Sequence, residues 1–253
     1  MPNTGYKVDP KTRFSSRVEN YIKYRPSYPN EIIPFLIEQE ILNKDSKIAD
    51  IGSGTGILSE LFLKNGNIVY GIEPNDDMRR ASENFLKKYS NFMSIKGSAE
   101  STNLRELSID LITVGQAFHW FMLNETKTEF RRILKPKGYV TLIWNNRRKD
   151  ETNFSSNYEQ FILKYGTDYK EVRKNEKNVD KFFKYNKATF YNYQELNFES
   201  LKGRLLSTSY IPQEESANFI QMLNELKELY NRHQKNGLIR IEYDTEIYFG
   251  QLN

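Results

Sequence analysis

The chain has 253 residues, 38% of them apolar and 14% aromatic, with a net charge of +4, no cysteine and two histidines. That much apolar and aromatic mass excludes wholesale disorder, and the missing cysteines exclude a disulfide framework or a thiolate metal site. Two histidines argue against a zinc or iron centre, so no metal is expected, and the lack of a spanning apolar run or a secretion-type leader points to a cytoplasmic chain with no membrane partner.

In chain order, the first segment of note is FSSRVENYIKYRPSYP, Phe14 to Pro29. Helical spacing puts Arg17 on one face with Tyr21, and Tyr21 with Tyr24. Arg25 and Tyr28 follow, and the prolines end the helix. Lys47–Ile51 (KIADI) reads as a buried strand running into glycines, Ile57–Leu63 as a helix and Asn67–Ile72 as a second strand. Asn75–Tyr89 carries Met78, Ala81, Phe85 and Tyr89 along one helical face. Phe92–Lys96 and Ile109–Val114 read as strands three and four. Phe121–Leu134 reads as a helix stopped by the KPKG turn at Lys135–Gly138, and Tyr139–Trp144 as a fifth strand.

This alternation predicts an α/β, Rossmann-like, doubly wound and mostly parallel sheet. Residues 146–188 read as a helical insertion. Within it, Asp168–Lys187 holds seven basic against four acidic residues. The interspersed acids suggest a solvated surface rather than a nucleic-acid footprint. Ala188–Leu196 reads as a strand. Ser216–Gln234 reads as an amphipathic helix with Phe219, Ile220, Leu223, Leu226, Leu229 and Tyr230 on its apolar stripe. Leu238–Leu252 reads as a terminal antiparallel strand, with Ile239, Ile241, Tyr243, Thr245, Ile247 and Phe249 on one side. The expected organisation is a single domain: lid and helices over 1–45, core over 46–145, insertion over 146–188, and sheet completion over 189–253.

The loop IADIGSGTG, Ile48 to Gly56, is the first candidate site. In such sheets ligands sit beyond the carboxyl ends of the strands. A dinucleotide fingerprint needs glycine at the first, third and sixth positions, and the sixth position from Gly52 is Ile57. Asp50 at the mouth would repel a pyrophosphate and suits a cationic ligand such as S-adenosylmethionine. A helix cap is the competing role for Asp50. Glu73, 17 residues beyond Gly56 at the next strand end, can accept hydrogen bonds from ribose hydroxyls.

The ordered series ADIGSGTG, GIEPNDDM, KGSAE and VGQAFHWF resembles class I S-adenosylmethionine-dependent methyltransferases. Within that class it is most similar to the small-molecule branch that includes trans-aconitate methyltransferase-like and ubiquinone/menaquinone methyltransferase-like enzymes. The flanking Phe14–Pro29 and YDTEIYFGQL, Tyr243–Leu252, are similar too, so the resemblance spans nearly the whole chain. It implies that Asp50, Gly52, Ser53 and Gly54 line the methionine part of the cofactor. It also implies that Glu73 holds the ribose, that Pro74, Asn75 and Met78 flank the adenosine, and that Ser98, Ala99 and Glu100 edge the adenine. Relatives often carry aspartate where Ser98 stands. Gln116 falls where cofactor and acceptor meet, and the N-terminal segment with Tyr21 and Arg25 would form a lid.

His119 and Trp120 lie just beyond strand four. His119 is a candidate general base, and Trp120 a candidate substrate or lid contact, with packing as the bland role for both. Arg17, Arg25, Arg147 and Arg148 fall near the same edge, and arginine forks suit carboxylates. The expected function is S-adenosylmethionine-dependent methylation of a small-molecule acceptor, acidic or aromatic, at oxygen, with S-adenosylhomocysteine as product. Two alternatives stay open: an RNA methyltransferase, and a cofactor-binding protein without turnover. Against the first, no asparagine-proline-aromatic motif follows strand four.

Overall fold

The computed structural model describes residues 18–149, 152–167, 179–212, 214 and 216–252. Arg17 and residues 168–178 of the basic run lie outside them.

Helices α1 (Val18–Tyr24) and α2 (Ile32–Glu38) lead into an alternating core. It runs β1 (Lys47–Ile51), α3 (Ile57–Lys64), β2 (Ile68–Ile72), α4 (Asp76–Phe85), β3 (Phe92–Ile95), β4 (Ile109–Gly115), α5 (Leu123–Ile133) and β5 (Leu134–Arg147). Then come α6 (Asn153–Tyr165), α7 (Val179–Phe182), β6 (Asn186–Leu196), α8 (Phe198–Leu206), α9 (Phe219–His233) and β7 (Ile239–Gln251). Among the described residues the strands form one seven-stranded sheet in the order β3-β2-β1-β4-β5-β7-β6. The first five are parallel, and β7 runs antiparallel between β5 and β6.

Burial explains the strand sequences. Four of the five β1 residues are buried, as expected of a central parallel strand covered on both faces. Ile48 joins a cluster with α2 and α3, whereas Ala49 and Ile51 join one with α5 and α7. Helices therefore cover both faces. A third cluster packs α6, α8 and α9 against Ile239, Ile241 and Tyr243 of β7. No helix among the described residues is long and apolar enough to cross a membrane.

Two local readings change. Lys135–Gly138 is not a turn that ends a helix but a bulge inside β5. Pairing jumps from Ile109–Leu134 to Leu111–Tyr139, and the Lys135 ammonium clamps Asp110 at 2.8 Å across it. On α9 the buried stripe is Phe219, Met222, Leu226, Leu229 and Tyr230, while Ile220 is 68% exposed. At about 100° per residue, Ile220 points away from Met222.

Candidate functional site

The glycine loop is tied to the neighbouring strand end. The Gly52 and Ser53 amides donate to the Ile72 carbonyl at 2.9 and 3.1 Å. Glu73 then accepts from the Gly54 amide through Oε2 and from the Asn75 amide through Oε1, both at 2.9 Å. Its carboxylate thus fastens the loop to the start of α4, where the Asn75 side chain caps the Asp77 and Met78 amides. Burial raises the Glu73 pKa, against the pull of those two amides.

Glycine is required where the loop meets the next one. Gly52 has φ +67°, and a Cβ there would lie 2.7 Å from Ala117 Cβ. At Gly54, φ +56°, a Cβ would meet nothing within 4 Å, so that position borders open space. Beyond β4, Gln116 also sits at φ +59°, a left-handed residue held by its amide's hydrogen bond to Ile143.

Asp50 is 1% exposed. Its Oδ2 accepts from the Ser59 hydroxyl at 2.6 Å. Its Oδ1 is buried with no hydrogen-bond partner among the described residues. Ser59 is the third residue of α3, so this bond ties Asp50 to the first turn of that helix. Burial pushes the Asp50 pKa up to about 7, with Ser59 opposing and Glu73 adding to the rise. A buried carboxylate with an unused oxygen is costly unless something cationic completes it.

A cavity of about 170 Å³ opens at this point. Asp50, Gly52, Ser53, Gly54 and Thr55 form one wall, and Gly115, Gln116, His119 and Trp120 another. Asn145, Asn146 and Arg147 come from the end of β5, and Tyr21, Arg25 and Tyr28 from the N-terminal segment. Arg204, Ser209, Tyr210 and Tyr243 close the far side. The N-terminal segment is fastened there: Gln194 and Asn192 side-chain amides donate to the Tyr24 and Ser27 carbonyls at 3.0 and 2.8 Å.

The structure thus gathers Asp50, Gly52, Ser53, Gly54, Gln116, His119, Trp120, Tyr21 and Arg25 around one space. Glu73, Pro74, Met78, Ser98, Ala99 and Glu100 do not line that cavity; they follow β2 and β3 at the same carboxyl edge. Ala99 is buried in the apolar core, Ser98 exchanges backbone hydrogen bonds with Ser101, and Glu100 accepts from the Met122 amide ahead of α5. Arg147 lines the cavity but is ion-paired with Glu159, and Arg148 is bound to Asp244 at 2.8 Å. Arg204 was not among the expected site residues. Its helix follows a capping asparagine, Asn197, and carries Leu201 and Leu205 four residues apart, a signal present in the sequence.

Residues 49–142 match the methyltransferase domain family. An uncharacterized methyltransferase-like protein of Schizosaccharomyces pombe is 27% identical over 264 residues, covering 96% of each chain. An uncharacterized methyltransferase of the same organism is 33% identical over 135 residues, covering 53% of each chain. The chain spans about half the length of several curated relatives it matches, and nearly all of one. A protein described as a type II methyltransferase from Anaeromyxobacter dehalogenans superposes with a TM-score of 0.71, over 90% of this chain and 98% of that one. At 17% identity, that likeness is one of fold.

Proposed function

We propose, from the premise that this chain carries a methyltransferase domain on a class I fold, that it transfers a methyl group from S-adenosylmethionine to an oxygen of a small-molecule acceptor. The observation that carries the reading is Asp50: a buried carboxylate with an unused oxygen, at a glycine loop, on a cavity shared with His119. The residues suit that cofactor. Asp50 offers an anionic acceptor for its ammonium, Gly54 borders open space, and Glu73 stands at the ribose-side strand end. When bound, the cofactor supplies a methyl group on a sulfonium leaving group. The protein's share is then to orient the acceptor and exclude water, which Tyr21, Tyr28 and Trp120 do by walling the cavity.

Calorimetric titration tests the reading. S-adenosylhomocysteine should bind and NAD should not, and labelled cofactor should pass its methyl to a small molecule in a metabolite extract. Binding of NAD alone would overturn it, and transfer into RNA alone would replace the acceptor class. Glu73→Ala is expected to weaken S-adenosylhomocysteine by about 1.5–3 kcal/mol, the usual scale for hydrogen bonds to a charged group. It should also lower the melting temperature, because the Gly54 and Asn75 amides lose their acceptor.

An acceptor hydroxyl must lose its proton as the methyl is transferred, and His119 is the imidazole on the cavity wall. His119→Ala is therefore expected to cut turnover about 10²-fold, with cofactor affinity little changed. A loss under about tenfold would mean that the acceptor oxygen arrives already ionised.

A further inference from the structure

The far side of the cavity carries positive charge that the cofactor motifs do not explain. Arg25 follows α1 and Arg204 lies in α8, and both line the space. The Nε of each is shut off from solvent and makes no hydrogen bond among the described residues. Arg25 donates through Nη2 to the Ser207 carbonyl at 2.9 Å and lies over the Tyr21 ring at 4.7 Å. Among the described residues neither guanidinium has a carboxylate in ion-pairing range, unlike Arg147 with Glu159 and Arg148 with Asp244. Burial first, then the Arg204 charge, lowers the Arg25 pKa, whereas Arg204, against its own burial, is raised by Tyr243, Tyr158 and Tyr210, so the repulsion falls on Arg25.

Like charges held together beside a cavity weaken the fold unless an anion completes them. Asp50 does not serve, because its neighbourhood is the glycine loop. Tyr28 is within electrostatic reach of both Asp50 and Arg25. The cavity is therefore bipolar, with an acidic end and a basic end that do not neutralise each other.

We propose that Arg25 and Arg204 together bind a carboxylate of the methyl acceptor, so that the acceptor is a small organic acid. This rests on the methyltransferase reading above, and assigns the acceptor side of that cavity. Guanidinium forks match carboxylates in two-point hydrogen bonding, and the pair offers more donors than either alone.

The test uses the full chain saturated with S-adenosylhomocysteine, at constant ionic strength. Succinate, glutarate and benzoate are compared with succinamide, glutaramide and benzamide by thermal shift. At least one acid should raise the melting temperature by about 3 °C or more at millimolar concentration, and its amide by less than about 1 °C. Arg25→Gln and Arg204→Gln should each abolish the acid shift while keeping S-adenosylhomocysteine affinity within about threefold, which also shows that the variants fold. Cofactor product binding with no acid-specific shift in the unmodified chain overturns this proposal alone. Equal acid shifts in the variants overturn it too, as does stronger protection by inorganic phosphate than by any acid. No binding of S-adenosylhomocysteine at all counts instead against the methyltransferase reading.

Discussion

Asp50→Asn is expected to weaken S-adenosylhomocysteine binding on the order of 100-fold, the equivalent of about 3 kcal/mol for a buried charged contact. The same change should stabilise the ligand-free chain at neutral and higher pH. The carboxyl is 1% exposed and its pKa is raised from 3.8 to about 7, chiefly by burial. A raised pKa means the folded state holds its proton longer than the unfolded one. The resulting stability is fully present below about pH 4 and is lost as pH climbs through about 7. A shift of this size corresponds to at most about 4 kcal/mol. Asparagine cannot ionise, so the variant should lose less stability between pH 5 and pH 8 than the native chain. Glu73 adds to the Asp50 rise and Tyr28 feels the Asp50 charge, so the difference between variant and native curves reads Asp50 together with its coupling to those two groups. A cationic ligand needs the ionised form, so native affinity should weaken by up to about tenfold per pH unit below 7 and binding should release protons. Calorimetry in buffers of different ionisation enthalpy reads that release. An Asp50→Asn variant that binds as tightly as the native chain would remove the cationic-ligand role of Asp50.

Gly203→Ala is expected to do the opposite of what the same change does in most helices. In a helix interior, alanine in place of glycine ordinarily gains about 1 kcal/mol. Here a Cβ at Gly203 would lie 2.1 Å from both Cδ2 and Cε2 of the Tyr24 ring. The ring cannot swing clear as the end of a lysine could, because Cδ2 and Cε2 belong to its rigid body. The strain then falls on α1, which carries Tyr21 into the cavity and leads directly to Arg25. Overpacking of this kind costs about 1–3 kcal/mol. A displacement of about 1 Å in the positioning segment can lower turnover on the order of 10²-fold. Adding Tyr24→Leu to Gly203→Ala makes room, and the double variant should recover more activity than the two single effects predict. Thermal denaturation and steady-state turnover of the three variants decide it. Native-like stability and turnover in Gly203→Ala would mean that the α1–α8 contact does not position the cavity wall.

The glycine-loop half of the candidate site was legible because it is local. Asp50 lies near the end of one strand with Gly52 and Gly54 just beyond it, Glu73 follows the next, and Gln116 and His119 follow a third. Each is fixed by its distance from a strand end that apolar periodicity reveals, and parallel pairing brings those ends to one edge. The Lys135–Gly138 bulge was not legible, because proline and glycine signal a break without saying whether the chain turns or bulges. Nor was the buried face of α9, where Met222 and Ile220 differ only in what lies opposite.

By itself the sequence determined the alternating strands and helices, the loop with room for a ligand and the carboxylates at its mouth. Tertiary structure alone decided the arginine-lined half of the cavity. Arg25, Arg147, Arg204 and Tyr243 come from separate segments, and they meet because β7 inserts between β5 and β6 while α8 packs on α1. It also decided which arginines keep their charge available: Glu159 and Asp244 neutralise Arg147 and Arg148, and among the described residues no carboxylate reaches Arg25 or Arg204. Ion pairing depends on distances across the fold, and residue spacing along the chain does not encode them.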